Sequence, residues 1–148
     1  MNRKEIIENI KKIAGSEKSR DEVLRDTVKI LKENIDYYNW VGIYLFEGDE
    51  LVLGPFSGKP SPHLRIPLNR GICGAAASQK KSIIVEDVTS DPRYLACSLE
   101  TKSEIVVPIM KQDKVFGEID IDSDRMNVFS QEDQMFLERI CSILSDLF

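Results

Sequence analysis

The sequence predicts an α+β fold in a single domain, with a mainly antiparallel sheet of about six strands. Apolar residues recur at helical spacing near both ends of the chain, whereas the middle alternates in the β pattern and contains tight turns. Hairpins imply antiparallel pairing, so we expect helices packed on one face of the sheet and loops covering a pocket on the other. The 148 residues are enough for one domain, 1–148, with a real core.

Residues 1–36 are predicted to form two amphipathic helices. In the first helix, isoleucines recur at helical spacing until Gly15, which is a typical C-terminal stop. The second helix starts at a capping box formed by Ser19 and Glu22, and its leucine and valine stripe reaches about Asp36. Two consecutive helices therefore open the chain.

Residues 39–122 are predicted to contain the sheet and the pocket loops. Aromatic and β-branched residues with central turns indicate two hairpins, over 40–53 and 104–122. Between them, the proline-rich segment 54–70 and the segment 86–102 are predicted to be irregular. These two irregular segments are the natural covers of the pocket.

Shorter elements complete the pattern. A short strand is predicted at 64–66, a helix of small residues at 75–78 behind a glycine entry, and another strand at 82–85. Ser130 is the expected N-cap of a final helix over 130–148, which carries one apolar face. The predicted order is helix, helix, hairpin, short helix, strand, hairpin, helix.

Charge and cysteine content exclude several classes of function. The net charge is -5 and the pI is about 5.0, so nucleic acid and anionic membranes are not expected partners. No signal peptide or membrane-length apolar run is present, which predicts a cytoplasmic protein. The cysteines Cys73, Cys97 and Cys141 do not resemble a disulfide framework, and with the single histidine His63 they predict no metal site. No cofactor is expected either.

Acidic residues alternate along the last predicted strand. Glu118, Asp120 and Asp122 share one face, and the two aspartates lie about 7 Å apart. A solvated sheet face explains this pattern as well as a binding site does. Trp40 and Tyr44 share a face of another strand, however, and aromatic rings beside carboxylates favour recognition of a cation with an apolar arm.

The cysteines differ in their expected roles. Cys73 lies at a predicted helix N-terminus, which favours the thiolate, although a small packing residue among glycines and alanines explains it slightly better. Cys97 lies in the second irregular segment, where function and accident are equally good explanations. Cys141 lies within an apolar helix and is interpreted as a core residue. His63, among prolines, is interpreted as a loop residue.

Eight short strings carry a family resemblance. Each string alone is generic, but their order and spacing are specific and span roughly residues 20–147. The strings are Asn39-Trp-Val-Gly-Ile-Tyr44, Gly54-Pro-Phe-x-Gly-Lys59, Arg65-Ile-Pro67, Arg70-Gly-Ile-Cys-Gly74, Glu86-Asp-Val88, Ala96-Cys97, Lys102-Ser-Glu-Ile-Val106 and Gly117-x-x-Asp-Ile-Asp-Ser123. In this arrangement the chain resembles the free methionine-(R)-sulfoxide reductases.

The resemblance implies a GAF domain, commonly a homodimer, that acts on free methionine-(R)-sulfoxide. It implies that Cys97 is the catalytic cysteine and Cys73 the resolving cysteine. It also implies a set of residues that line the substrate pocket: Trp40, Tyr44, Glu104, Asp120 and Asp122. Many members of the family carry a third cysteine ten residues before the position of Cys73, where this sequence has His63. A mechanism that needs that third thiol is therefore excluded.

The resemblance leads to a mechanistic hypothesis. The Cys97 thiolate attacks the sulfoxide sulfur while Glu104 or one of the aspartates donates a proton to the oxygen. Cys73 then condenses with the sulfenic acid to a disulfide, which thioredoxin or a similar thiol reductant reopens. The competing interpretations are a non-enzymatic GAF sensor of small ligands and a pure dimerisation module.

Overall fold

The computed structural model describes residues 1–95 and 100–148. These residues form four α-helices and six strands. The elements are α1 (Arg3–Ala14), α2 (Arg20–Asn34), β1 (Trp40–Glu47), β2 (Glu50–Ser57), β3 (Arg65–Pro67), α3 (Gly71–Gln79), β4 (Ile83–Val85), β5 (Ser103–Lys111), β6 (Lys114–Ser123) and α4 (Gln131–Ser145). The predicted order of elements is confirmed, and α2 ends two residues before the predicted limit.

The three long helices begin at reciprocal capping boxes. The Ser19 side chain accepts a hydrogen bond from the Glu22 backbone N–H, and the Glu22 carboxylate accepts one from the Ser19 N–H. Asn2 caps α1 and Ser130 caps α4 in the same way. Because each box satisfies two otherwise unpaired N–H groups, the local sequence fixes where these helices begin.

The six strands form one antiparallel sheet in the order β3-β2-β1-β6-β5-β4. The prediction that the irregular segment starts at Gly54 is wrong, since β2 continues to Ser57. Between the pairs Tyr44–Leu53 and Gly42–Phe56 the register shifts, so Gly54 and Pro55 lie opposite one residue of β1. Such a bulge accommodates a proline within a strand because the extra residue needs no ladder hydrogen bond.

Two apolar clusters lie on opposite faces of the sheet. The larger one packs α1, α2 and α4 against inward residues such as Ile43, Ile119 and Ile121, which are fully buried. Each buried side chain of this kind contributes about 1.5–3 kcal/mol of transfer free energy. The predicted α+β fold is confirmed. The short helix α3 joins the irregular segments on the second face, where Ile72 and Ala76 pack near Tyr44.

Among the described residues, none of the helices combines the length and the apolar character that crossing a bilayer requires.

Candidate active site

The second face of the sheet carries the acidic residues of β6. Glu118, Asp120 and Asp122 alternate with the core isoleucines, and the three acids are 0%, 1% and 3% exposed. The alternative of a solvated sheet face is therefore wrong. Burial of three neighbouring carboxyl groups costs free energy unless ligands or protons compensate for it.

The strands on either side bring aromatic residues and a fourth acid to this row. Each acid of β6 pairs with a residue of β1, and directly paired side chains lie on one face about 5 Å apart. The pairs are Trp40 with Asp122, Gly42 with Asp120 and Tyr44 with Glu118. From β5, Glu104 pairs with Asp122 on its other side and is itself 4% exposed. Folding thus brings the predicted binding residues to one surface.

The aromatic side chains anchor the irregular segment 58–64 to the sheet. The Trp40 indole N–H donates to the Lys59 carbonyl oxygen at 2.9 Å, and the Tyr44 hydroxyl donates to the His63 carbonyl oxygen at 2.8 Å. A Cβ atom at Gly42 would overlap the Trp40 ring. Glycine at this position therefore lets the indole lie across the strand, beside the acids.

Cys73 lies in the first turn of α3, as predicted, and is 4% exposed. The prediction that its position favours the thiolate is wrong. Burial raises the pKa of the Cys73 thiol well above its usual value, and the nearby carboxyls of Asp120, Glu118 and Glu104 raise it further. Loss of solvation and negative neighbours outweigh the helix dipole here, so the resting group is a thiol.

The acids of β6 also differ from ordinary carboxylates. Burial raises the pKa of Glu118 and of Asp122 well above the usual range, with a further contribution from Asp120 in both cases. Burial raises the pKa of Asp120 too, although hydrogen bonds with Glu104 and Cys73 oppose that change. Glu118 interacts through a hydrogen bond with the thiol of Cys73, which opposes the rise of its pKa. Among the described residues, no hydrogen-bond partner reaches the Oδ1 atom of Asp120 or that of Asp122. These oxygen atoms are available to a ligand.

Two cavities open on this face. A pocket of about 210 Å³ is bordered by Trp40, Asp122, Lys59 and Glu100, and the last two form an exposed ion pair. A much smaller void of about 10 Å³ is bordered by Leu95, by His63 and by four of the predicted site residues. These four are Tyr44, Cys73, Glu104 and Asp120. The structure therefore distributes the predicted substrate pocket over a large and a small cavity.

The predicted catalytic residue Cys97 lies outside the described residues. The residues that flank this segment border the two cavities: Leu95 lines the small void and Glu100 lines the larger pocket. The interpretation of Cys141 as a core residue is confirmed, since it is 3% exposed and its thiol donates to the Val107 carbonyl oxygen. His63 belongs to the loop, as predicted, but it also borders the small void.

Three residues of the site could also hold a metal ion. One ligand atom from each of Cys73, Glu104 and Asp120 lies within 4.8 Å of the others. The sequence did not predict this cluster, because that prediction considered only the numbers of cysteine and histidine residues and not which side chains come together in the fold. The sequence pattern also placed Glu118 on the same face as Asp120 and Asp122 but did not predict it to be a site residue. The alternation of strand β6 that indicates Asp120 applies equally to Glu118.

The antiparallel sheet, with long helices on one face and a short helix and loops over a polar pocket on the other, defines a GAF domain. The family model described as "GAF domain" matches residues 19–146. The chain belongs to this family, in the group of the free methionine-R-sulfoxide reductases, as the resemblance predicted. Solved and curated relatives support this assignment.

One similar protein is the free methionine-R-sulfoxide reductase of Escherichia coli, 39% identical over 121 residues, which cover 82% of this chain and 73% of that protein. Another is GAF domain-containing protein A of Dictyostelium discoideum, 43% identical over 83% of this chain and 77% of the relative. A solved structure, the free methionine-R-sulfoxide reductase of Neisseria meningitidis in complex with its substrate, superposes with a TM-score of 0.93. It is 35% identical and covers 99% of this chain and 87% of that chain.

Proposed function

We propose that this oxidoreductase reduces free methionine-(R)-sulfoxide to methionine on the acidic face of its sheet. One observation supports this proposal above the others: the thiol of Cys73 is buried beside carboxyl groups, and the Oδ1 atom of one of them, Asp120, has no hydrogen-bond partner among the described residues. A thiol supplies electrons for the reduction, and the carboxyl groups supply protons and hold a cation. The relatives that carry this activity in their names support the choice of substrate.

Recognition of the free amino acid follows from the acids that border the two cavities. In this proposal Asp122 and its neighbours Asp120 and Glu104 accept hydrogen bonds from the substrate ammonium group, and Trp40 packs against the apolar arm. A methionine inside a polypeptide has an amide nitrogen at that point, which carries no charge and continues into the chain. The buried acids therefore discriminate against methionine sulfoxide in proteins.

The proposed first step is a two-electron transfer from sulfur to sulfur. The Cys97 thiolate attacks the sulfoxide sulfur, the S–O bond breaks, and the oxygen moves to Cys97 with a proton donated by Glu104 or one of the aspartates. Methionine leaves, and Cys97 becomes a sulfenic acid. At least one carboxyl of this crowded row holds a proton, since several buried negative charges repel one another.

The proposed second step uses Cys73. Its sulfur attacks the sulfenic sulfur of Cys97, a disulfide forms, and the hydroxyl leaves as water with the proton of the Cys73 thiol. Two thiols of thioredoxin, or of a similar reductant, then reduce the disulfide. Because residue 63 is a histidine, no third thiol at that position can take part.

Three further points stay predictions. The cytoplasmic location rests on the sequence, and the homodimer and the dependence on thioredoxin rest on the family resemblance. Size-exclusion chromatography with light scattering would test the dimer. Replacement of dithiothreitol by thioredoxin and its reductase in the assay would test the reductant.

The experiment that tests the proposed function is an assay of methionine release. The protein is incubated with dithiothreitol and the separate R and S isomers of free methionine sulfoxide. We expect turnover of the R isomer alone, loss of turnover in Cys97→Ser, and retention in Cys141→Ser, which removes a thiol on the opposite, helix-covered face of the sheet. No turnover by the wild type, or full turnover by Cys97→Ser, would reject the proposal and favour a ligand sensor.

The recycling step is tested separately by mass spectrometry of the protein oxidised with one equivalent of substrate. We expect a disulfide between Cys73 and Cys97, and an unresolved sulfenic acid in Cys73→Ser. A wild-type protein in which these two sulfurs never join would show that an external thiol attacks the sulfenic acid directly.

A further inference from the structure

The small void beneath α3 is bordered by an unusual set of donors. Cys73 comes from the helix, Glu104 from β5 and Asp120 from β6, and one ligand atom of each lies within 4.8 Å of the other two. All three side chains are buried, at 4%, 4% and 1% exposure. Side chains from three separate elements thus converge, and the sheet and the helix hold them there.

A second observation indicates that this cluster lacks a ligand. Asp120 borders the void, and its Oδ1 atom has no hydrogen-bond partner among the described residues. The void measures about 10 Å³, which is the scale of one water molecule or one ion. The described residues that border it include no lysine or arginine, and His63 is the one among them with a basic side chain. A buried acceptor of this kind needs either a donor or a cation.

The donor types select the ion. A thiolate excludes magnesium and calcium, which prefer oxygen ligands alone. One sulfur and two carboxylate oxygens suit Zn²⁺, which binds three protein ligands and keeps a fourth position for water in open sites. Ligand atoms that all lie within 4.8 Å of one another are close enough to share one ion.

We propose that the reduced protein binds one Zn²⁺ ion through the Cys73 sulfur and the carboxylates of Glu104 and Asp120. On binding, the thiol releases its proton and a sulfur–zinc bond forms, so no oxidant or reductant is needed. The bound ion neutralises the buried acids and blocks the sulfur. The inference does not depend on the proposed reaction, since it concerns only the donors that border the void.

The test is a titration of the reduced protein, freed of small thiols under argon, with Zn²⁺ and, separately, with Co²⁺. We expect one equivalent of Zn²⁺ to bind in competition with a chromophoric chelator. Co²⁺ should give the near-ultraviolet charge-transfer band of a thiolate ligand. In Cys73→Ser that band should disappear, and in Cys73→Ser, Glu104→Gln and Asp120→Asn the affinity for Zn²⁺ should fall at least about tenfold.

Cys141→Ser is the matched control, because it removes a buried thiol outside the cluster and should keep both the band and the affinity. A thiolate band that survives in Cys73→Ser, or unchanged affinity in Asp120→Asn, would overturn the proposal. If a variant fails to fold, the wild-type protein still tests the zinc site through the alkylation rate of Cys73. Zn²⁺ must slow the alkylation of Cys73, read from its peptide by mass spectrometry, and an unchanged rate overturns the proposal. Neither measurement uses a sulfoxide, so failure here leaves the proposed reaction untouched.

Discussion

Asp133 and Asp122 are both buried aspartates, but their surroundings are opposite. Asp133, 1% exposed, accepts hydrogen bonds on Oδ1 from Arg3 at 2.7 Å, Tyr37 at 2.7 Å and Tyr38 at 2.8 Å. Its Oδ2 accepts the backbone N–H of the cap residue at 3.0 Å. Asp122, 3% exposed, has an Oδ1 atom without a partner among the described residues.

The two pKa values move in opposite directions for this reason. Burial alone raises the pKa of Asp133, but the hydrogen bonds from Ser130, Tyr37, Tyr38 and Arg3 outweigh burial and hold it below the usual range. Burial and the neighbouring Asp120 raise the pKa of Asp122, and the hydrogen bond with Glu104 does not outweigh them. A buried acid whose partners all lie within the fold joins structural elements, whereas an acid with an unpaired oxygen can accept a hydrogen bond from a ligand.

The largest effect on stability is expected from replacement of Asp133, the buried acid whose hydrogen bonds are all made within the fold. Asp133→Ala leaves the Arg3 guanidinium and two tyrosine hydroxyls without their acceptor and removes a helix cap. We expect the free energy of unfolding to fall by about 3 to 5 kcal/mol in urea denaturation. Glu132→Ala is the control, because that side chain is 77% exposed and its ion pair with Arg3 is worth less than about 1 kcal/mol. Equal effects in the two variants would contradict the comparison.

A buried acid with a weaker partner should behave in the opposite way. Glu118 is fully buried, and the weakly donating Cys73 thiol is the hydrogen-bonding neighbour of its carboxyl, so Glu118→Leu should raise the free energy of unfolding by about 1 kcal/mol. Glu118→Gln keeps a buried polar group in place and should give no comparable gain. If Glu118→Leu instead destabilises as strongly as Asp133→Ala, the acids on the pocket face are structural, and the distinction drawn here fails.

The smallest effect concerns pH. The folded pKa of Asp133 is depressed, so its contribution to stability is complete above the unfolded value of about 3.9 and is lost as pH falls through the folded value. The stability difference between wild type and Asp133→Asn should therefore be constant from neutral pH to about pH 5 and shrink below it. Urea denaturation of both proteins over this range measures the difference. A difference that grows on acidification would contradict the assigned direction.

Local signals predicted much of the fold. The capping box of Ser19 and Glu22 fixed the start of α2, and the alternation around Asp120 separated the core face of β6 from the pocket face. The bulge at Gly54 and Pro55 was not predictable in this way, because it depends on the register with β1. The proline and glycine content predicted a loop from residue 54, but pairing with β1 extends the strand through this segment.

The electrostatics of the site needed the fold. The sequence placed Cys73 at a helix N-terminus, but only the structure shows that α3 positions its thiol near three carboxyl groups, which raise its pKa. The Asp133 cluster was equally invisible. Its capping role is local, while its contacts with Arg3 and Tyr38 join residues 130 and 95 positions apart. Properties set by such long-range contacts cannot be obtained from spacing along the chain.

The most direct test of the account is the ratio of kcat/KM for free methionine-(R)-sulfoxide to that for its N-acetyl derivative, which lacks the ammonium charge. Because spare carboxyl oxygens are proposed to hold that ammonium group, the wild-type ratio should be at least about one hundred. It should fall about tenfold in Asp122→Asn. Equal kcat/KM values for the two compounds, or a ratio unchanged by Asp122→Asn, would contradict the proposal that the unsatisfied acids form the substrate site.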